Sequence, residues 1–163
     1  MSRRVLVAIA LLSIVLVPGP VATAQDILDP QMGGLALFSV TQNPDLGSIL
    51  ADTGGRTLYT WAADSPGTPS VCNEACVNAW PPYLLDPGRT DLIDPSMREG
   101  SRDPTNRVSG IQRLDGTYQV ALDGWPLYYF QRDSAPGDAT GNGSNGFGAL
   151  WSVVRIQDMM MGM

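Results

Sequence analysis

Gly55-Arg-Thr-Leu58-Tyr59-Thr-Trp61-Ala-Ala-Asp64-Ser65 and Gly124-Trp-Pro-Leu127-Tyr128-Tyr-Phe130-Gln-Arg-Asp133-Ser134 are two copies of one pattern. Each reads Gly-x-x-Leu-Tyr-x-aromatic-x-x-Asp-Ser, with Tyr59 matching Tyr128 and Asp64 matching Asp133 at one constant offset. Each copy is followed by turn-rich chain and then by a Trp that opens an apolar run: Trp80-Pro-Pro-Tyr-Leu-Leu and Trp151-Ser-Val-Val. Self-similarity on this scale marks a repeat architecture.

The upstream residues correspond as well. Val108 to Gln112, an Asp115-Gly116 turn and Tyr118 to Leu122 read as a hairpin, because Asp-Gly supplies the positive φ that tight hairpin turns need. A second turn at Asp123-Gly124 leads into Trp125 to Gln131 and completes a three-strand meander. In the first copy the same order runs through residues 37–41, 48–52 and 57–62, with turns near Pro44-Asp45 and Gly54-Gly55. The pattern therefore predicts an all-β, mainly antiparallel fold. Two pseudo-equivalent three-stranded meanders pack together in it, because each alone is too small to bury much core.

Strand alternation puts Tyr59 and Trp61 on one face, and Tyr128 and Phe130 on the equivalent face, with Leu58 and Leu127 opposite. Two readings of the motif follow. In one, the aromatics pack between the units and the Asp ends its strand by accepting turn amides. In the other, Tyr59, Trp61, Asp64, Tyr128, Phe130 and Asp133 line a shared groove for a glycan or another small ligand.

Tyr59-Thr-Trp61-Ala-Ala-Asp64 and Tyr128-Tyr-Phe130-Gln-Arg-Asp133, with Cys72, Cys76, Trp80-Pro81-Pro82 and Pro136-Gly137-Asp138, resemble the bacterial family of secreted repeats of unknown function. That family is also described as lipoproteins with a Tyr-x-(Phe/Trp/Tyr)-x-x-Asp motif. The resemblance runs from about Leu46 to Val154. It implies an exported tandem-repeat protein and carries no activity with it. One departure is the missing lipidation cysteine.

The N-terminus agrees with export. Arg3-Arg4, the apolar run Val5 to Val17 and Ala22-Thr-Ala24 read as a signal peptide over residues 1–24. The run is short for a membrane span, and no later segment is long and apolar enough to span after cleavage. The remaining divisions are an arm at 25–36, one domain at 37–156 made of repeats 37–85 and 108–156, and a Met-rich tail at 157–163. A surface loop rich in Pro, Asp and Arg joins the repeats from Leu85 to Asn106. The expected location is secreted or periplasmic.

Cleavage would remove two Arg and no acid, taking the net charge from -6 to -8. Such a chain is poorly suited to nucleic acid, which needs clustered positive charge. His is absent and all basic residues are Arg. That removes Ser-His-Asp and Cys-His nucleophile pairs, His-ligated zinc and Lys Schiff bases.

Cys72 and Cys76 are the two cysteines. In an exported chain they read as a disulfide, one turn apart on a short helix over Ser70 to Ala79. The alternatives are a redox pair or a thiolate metal site. Met159, Met160, Met161 and Met163 are soft thioethers that suit Cu(I), or else a frayed tail. Asp138-Ala-Thr140-Gly-Asn142-Gly143 resembles the start of a calcium loop, but its twelfth position is Ala149 rather than Glu. Asp64 and Asp133 could act as an acid–base pair. No cofactor is expected. The favoured reading is an exported, non-enzymatic binding or interaction module of the cell envelope or exterior, with a small molecule, a glycan or an envelope protein as partner. A copper or redox accessory protein and a small carboxylate-dependent hydrolase are the alternatives.

Overall fold

A computed structural model describes residues 37–88 and 107–161. The signal-peptide, arm and most of the connecting-loop assignments lie outside the described residues, as do Met163 and the side chains of Met160 and Met161.

The fold is mainly β, as the sequence pattern predicts. Strands β1 (Phe38–Asn43) and β2 (Gly47–Asp52) form a hairpin, and β3 (Tyr59–Trp61) carries the first motif. A short helix, α1 (Ala75–Ala79), follows. Strands β4 (Val108–Gln112), β5 (Tyr118–Leu122) and β6 (Trp125–Pro126) form the expected three-stranded meander of the second copy. Then come β7 (Trp151–Val153) and a terminal helix, α2 (Ile156–Met161). At the Asp123-Gly124 turn both residues have positive φ, 51° and 80°, as an I′-type hairpin turn requires.

The first copy differs from a simple meander. The chain just before its third strand, residues 56–58, pairs with β2 around the Ala51–Thr57 bridge, whereas β3 itself finds its ladder partner in β7 of the other copy. The second copy mirrors this. Residues 81–85 of the first copy lie along it: Tyr83 N–H donates to Leu127 O (2.9 Å), Val120 N–H to Tyr83 O (2.8 Å) and Leu85 N–H to Tyr118 O (2.8 Å). The matching bonds at the other end are Val154 N–H to Leu58 O (3.1 Å) and Leu50 N–H to Val154 O (2.8 Å). Each repeat thus sends its Trp-led segment across to the other repeat. Where the copies meet, Tyr59 N–H donates to Tyr128 O (2.9 Å) and Tyr128 N–H to Tyr59 O (3.0 Å). This reciprocal pair sits on a local twofold.

The alternation separates two cores. Tyr59, Trp61, Tyr128, Trp80 and Trp151 pack in one, with both cysteines. Leu58, Leu127, Leu50 and Val120 pack in the other. Trp80 and Trp151, equivalent residues of the two repeats, stack with centroids 3.8 Å apart. Trp61 extends the column beyond Trp151, and Phe130 extends it beyond Trp80. Burial of these large rings gives this core much of its apolar area.

The motif glycines have a steric reason. Gly55 (φ 85°) and Gly124 (φ 80°) sit where left-handed backbone favours Gly. A Cβ on Gly124 would lie 2.8 Å from Gly67 N, and one on Gly55 3.0 Å from Pro136 Cβ. Gly67 N–H donates to Gly124 O (2.9 Å) and Gly137 N–H to Gly55 O (3.3 Å). The Pro-Gly turn of each copy therefore rests on the first motif residue of the other.

Two expectations need adjusting. The helix near the cysteines is shorter than residues 70–79, because residues 70–73 are irregular: the Val71 amide goes to Asp64 and the Cys72 amide to Ser70 Oγ. The tail expected to fray from Gln157 instead forms α2, because Ile156 and Met159 have an apolar face to join.

Candidate functional site

The motif side chains meet across the twofold. The Tyr59 hydroxyl donates to Asp133 Oδ2 at 2.6 Å. The Tyr128 hydroxyl donates to Asp64 Oδ2 in a short bond. The Tyr of each copy is thus held by the Asp of the other. The second oxygen of each Asp serves its own turn: Asp64 Oδ1 accepts Val71 N–H (3.0 Å), and Asp133 Oδ1 accepts Thr140 N–H (3.0 Å) and the Thr140 hydroxyl (2.6 Å). Hydrogen bonds to an ionised acceptor are the stronger kind. Burial, and then the adjacent carboxylate, push both phenols well above the usual tyrosine range.

Tyr59 and Tyr128 are fully buried, and Trp61 is buried too. Phe130 is half-buried, with the Arg132 guanidinium 5.9 Å from its ring centroid. Three of the four motif rings, Tyr59, Trp61 and Tyr128, thus lie in the interior. Asp64 is 5% exposed, whereas Asp133 is half-buried. That difference is the main asymmetry of the molecule.

At the Asp64 end the polar groups are sealed. Because the Tyr128 proton goes to Asp64, the Ser70 hydroxyl donates to Tyr128, and Ser70 Oγ accepts Cys72 N–H (3.0 Å). Cys72 and Cys76 form a disulfide, with Cα atoms 5.3 Å apart. Beside them lies a cation that sequence reading missed. Arg113 is 6% exposed and donates to Gln119 Oε1 (2.5 Å), Cys72 O (2.7 Å) and Asn73 Oδ1 (3.4 Å). Its Nε has no partner. Gln119 in turn donates to Leu127 O (2.7 Å). Next to an Asp-Gly turn Arg113 looks like a surface residue. The available signal was Gln119, a polar residue heading the apolar stretch Val120 to Leu122.

At the Asp133 end there is no disulfide. Gly141 stands where the first copy has Cys72, since Thr140 and Val71 both cap the motif Asp seven residues on. A Cβ there would fall 2.6 Å from the Trp80 ring and 2.8 Å from the Phe130 ring. The position has no room for a Cys. A surface cleft of about 240 Å³ opens here, lined by Gly54, Arg56, Asp133, Ser134, Ala135 and Pro136. The exposed Arg56 guanidinium lies 3.8 Å from the Tyr129 ring centroid. The Tyr129 hydroxyl donates to Asp52 Oδ2 (2.9 Å). Burial, and then Asp52, raise the Tyr129 pKa as well.

The other candidate residues are placed as follows. Met159 is 7% exposed and packs in the leucine-rich core. The Asp138 carboxylate accepts Ser134 N–H (2.9 Å) and Ala135 N–H (2.8 Å), which hold its pKa below the usual range. Asn142 Oδ1 accepts Val153 N–H (3.1 Å). Both residues of the calcium-like loop thus tie down backbone. Among the described residues no group of three His, Cys, Asp or Glu could hold a metal ion, and no helix is long and apolar enough to cross a membrane.

No curated protein and no solved structure matches this chain. A family model does. It covers residues 40–83 and 109–155, the two repeats found above, and so more than half of the chain. Because the matched residues make up more than half of the chain, the chain belongs to the family described as secreted repeat of unknown function.

Proposed function

We propose that this exported repeat domain is a non-enzymatic interaction module of the envelope or exterior, and that its ligand face is the cleft at the Asp133 end. One observation supports this above others. Of two equivalent ends, one is closed by a disulfide-bonded loop, while the other leaves an open depression rimmed by Arg56, Asp133 and Ser134. The motif aromatics contribute by rigidity: their rings form the core, and their hydroxyls hold the aspartates. Groups of both signs at the rim suit a polar partner such as a glycan, a charged small molecule or a loop of an envelope protein.

The test is a panel of glycans, charged small molecules and peptides titrated into isotope-labelled mature chain. Amide shifts should centre on residues 54–56 and 133–136. Arg56→Ala should weaken a bound partner at least about tenfold, roughly 1.4 kcal/mol, without lowering the melting temperature by more than a few degrees. Shifts centred elsewhere, or equal affinity in the variant, would overturn the assignment.

A further inference from the structure

We propose that the surface each repeat offers its neighbour is also a recognition surface for the same motif in a second copy of this chain, so that two chains exchange repeats into a closed dimer.

The argument starts from what one repeat lacks. Taken alone, repeat 37–85 has a Tyr59 hydroxyl without its carboxylate and an Asp64 without its phenol. It also has a Gly55 carbonyl without the Gly137 amide, and a β3 without β7. Repeat 108–156 lacks the counterparts of each. Every missing group is supplied by the other repeat, and by the same residue type in the Tyr–Asp pairs and the central Tyr59–Tyr128 backbone pair. An unpaired repeat is therefore complementary to the other repeat of a second copy of this chain.

Nothing covalent among the described residues ties one repeat to the other. The single disulfide joins Cys72 to Cys76 within the first repeat. The covalent path between repeats is residues 86–106, whose extended contour reaches up to about 70 Å. Repeat 37–85 of one chain can thus take repeat 108–156 of another, and the reverse, with each inter-repeat bond named above preserved. The product closes on itself with twofold symmetry and leaves no free copy of the surface. Within one chain the second repeat is tethered to the first, so its pairing is an intramolecular step with the advantage of a high effective concentration. Closure inside the chain therefore wins in dilute solution. Exchange wins where chains fold crowded together. This inference holds whatever the Asp133 cleft binds.

The test uses full mature chains with the native disulfide intact. Thr60 and Ser152 face each other in the β3–β7 register. One chain carries Thr60→Cys and a second carries Ser152→Cys. The two are unfolded, mixed, refolded over a range of concentrations and treated with a short bis-thiol cross-linker. A chain bearing both substitutions is the control, and it should cross-link within itself. The expected result is a cross-linked species of two-chain mass in the mixture, whose share falls several-fold on tenfold dilution of the refolding step. Chains that stay monomeric at every concentration overturn the proposal, provided the control cross-links. Dimers that resist this cross-link overturn it too, because they associate by another surface.

Discussion

The two ends of this molecule share a backbone plan and differ in what covers the motif aspartate. At one end Asp64 is buried next to a disulfide-closed loop; its Tyr128 partner is also bonded by Ser70, and Arg113 joins Gln119 to the Cys72 carbonyl of that loop. At the other, Asp133 is half-buried, Gly141 replaces the cysteine, and a cleft remains. The motif therefore specifies the crossed pairing, while residues outside it decide which end is sealed.

The pairing common to both ends should show the largest effect. Tyr59 and Tyr128 have phenol pKa values raised in the folded state by burial and by their aspartates. In the unfolded chain they titrate near the ordinary value of about 10. Below that pH the stability from the raised values is fully present. Above it the unfolded chain releases protons that the folded chain keeps, so stability falls. The expected slope is about 1.4 kcal/mol per pH unit for each such phenol. Urea midpoints between pH 8 and pH 11 measure it. Replacing both tyrosines by Phe should reduce the slope to the part left by Tyr129, whose pKa is also raised, and an unchanged slope would break the crossed-pair account.

The next effect separates the ends. Asp64→Ala strands a buried phenol–serine pair and the Val71 amide, and should cost about 3 kcal/mol. Asp133→Ala leaves groups that water can reach, and should cost about 1 kcal/mol. Equal losses in chemical denaturation would mean that exposure does not distinguish the ends.

The repeat itself was legible in the sequence because its signals are local. Leu58 and Leu127 alternate against Tyr59 and Tyr128, so the split into two cores follows from a period of two. Asp115-Gly116 and Asp123-Gly124 mark their turns by the φ values they allow. The exchange of Trp-led segments was not legible. Trp80-Pro-Pro and Trp151-Ser-Val announce an apolar strand, but nothing in a strand's own residues names its neighbour across the sheet. The capping role expected of Asp64 and Asp133 covers only one oxygen of each, since the Tyr on the other oxygen is far away in sequence. Arg113 was hidden for the same reason: its acceptors, Gln119 and the Cys72 carbonyl, come together only when the copies cross.

The disulfide offers a third, smaller test. Closing so short a loop contributes roughly 2 kcal/mol in the chain-entropy account. A Cys72→Ala, Cys76→Ala chain should lose about that much. The bond lies within one repeat, so the variant should keep the crossed pairing, read as unchanged alkaline behaviour of its tyrosines. Loss of the whole fold would instead make the disulfide, not the motif, the organiser of the sealed end.

The smallest stability effect is expected at Arg56, and its smallness is informative. Arg56 is exposed, and its guanidinium rests on the Tyr129 ring. Exposed cation–π contacts are worth about 0.5–1 kcal/mol, so Arg56→Ala should move the urea midpoint only slightly. At the matching position the second copy has Trp125, half-buried in β6. Trp125→Ala removes packed aromatic area and should cost clearly more than Arg56→Ala. If Arg56→Ala proves the more damaging of the two, the arginine is part of the framework and the open end has lost its best candidate for a ligand contact. If it is nearly silent in stability and weakens a partner's binding, the charge is kept for the cleft and not for the fold.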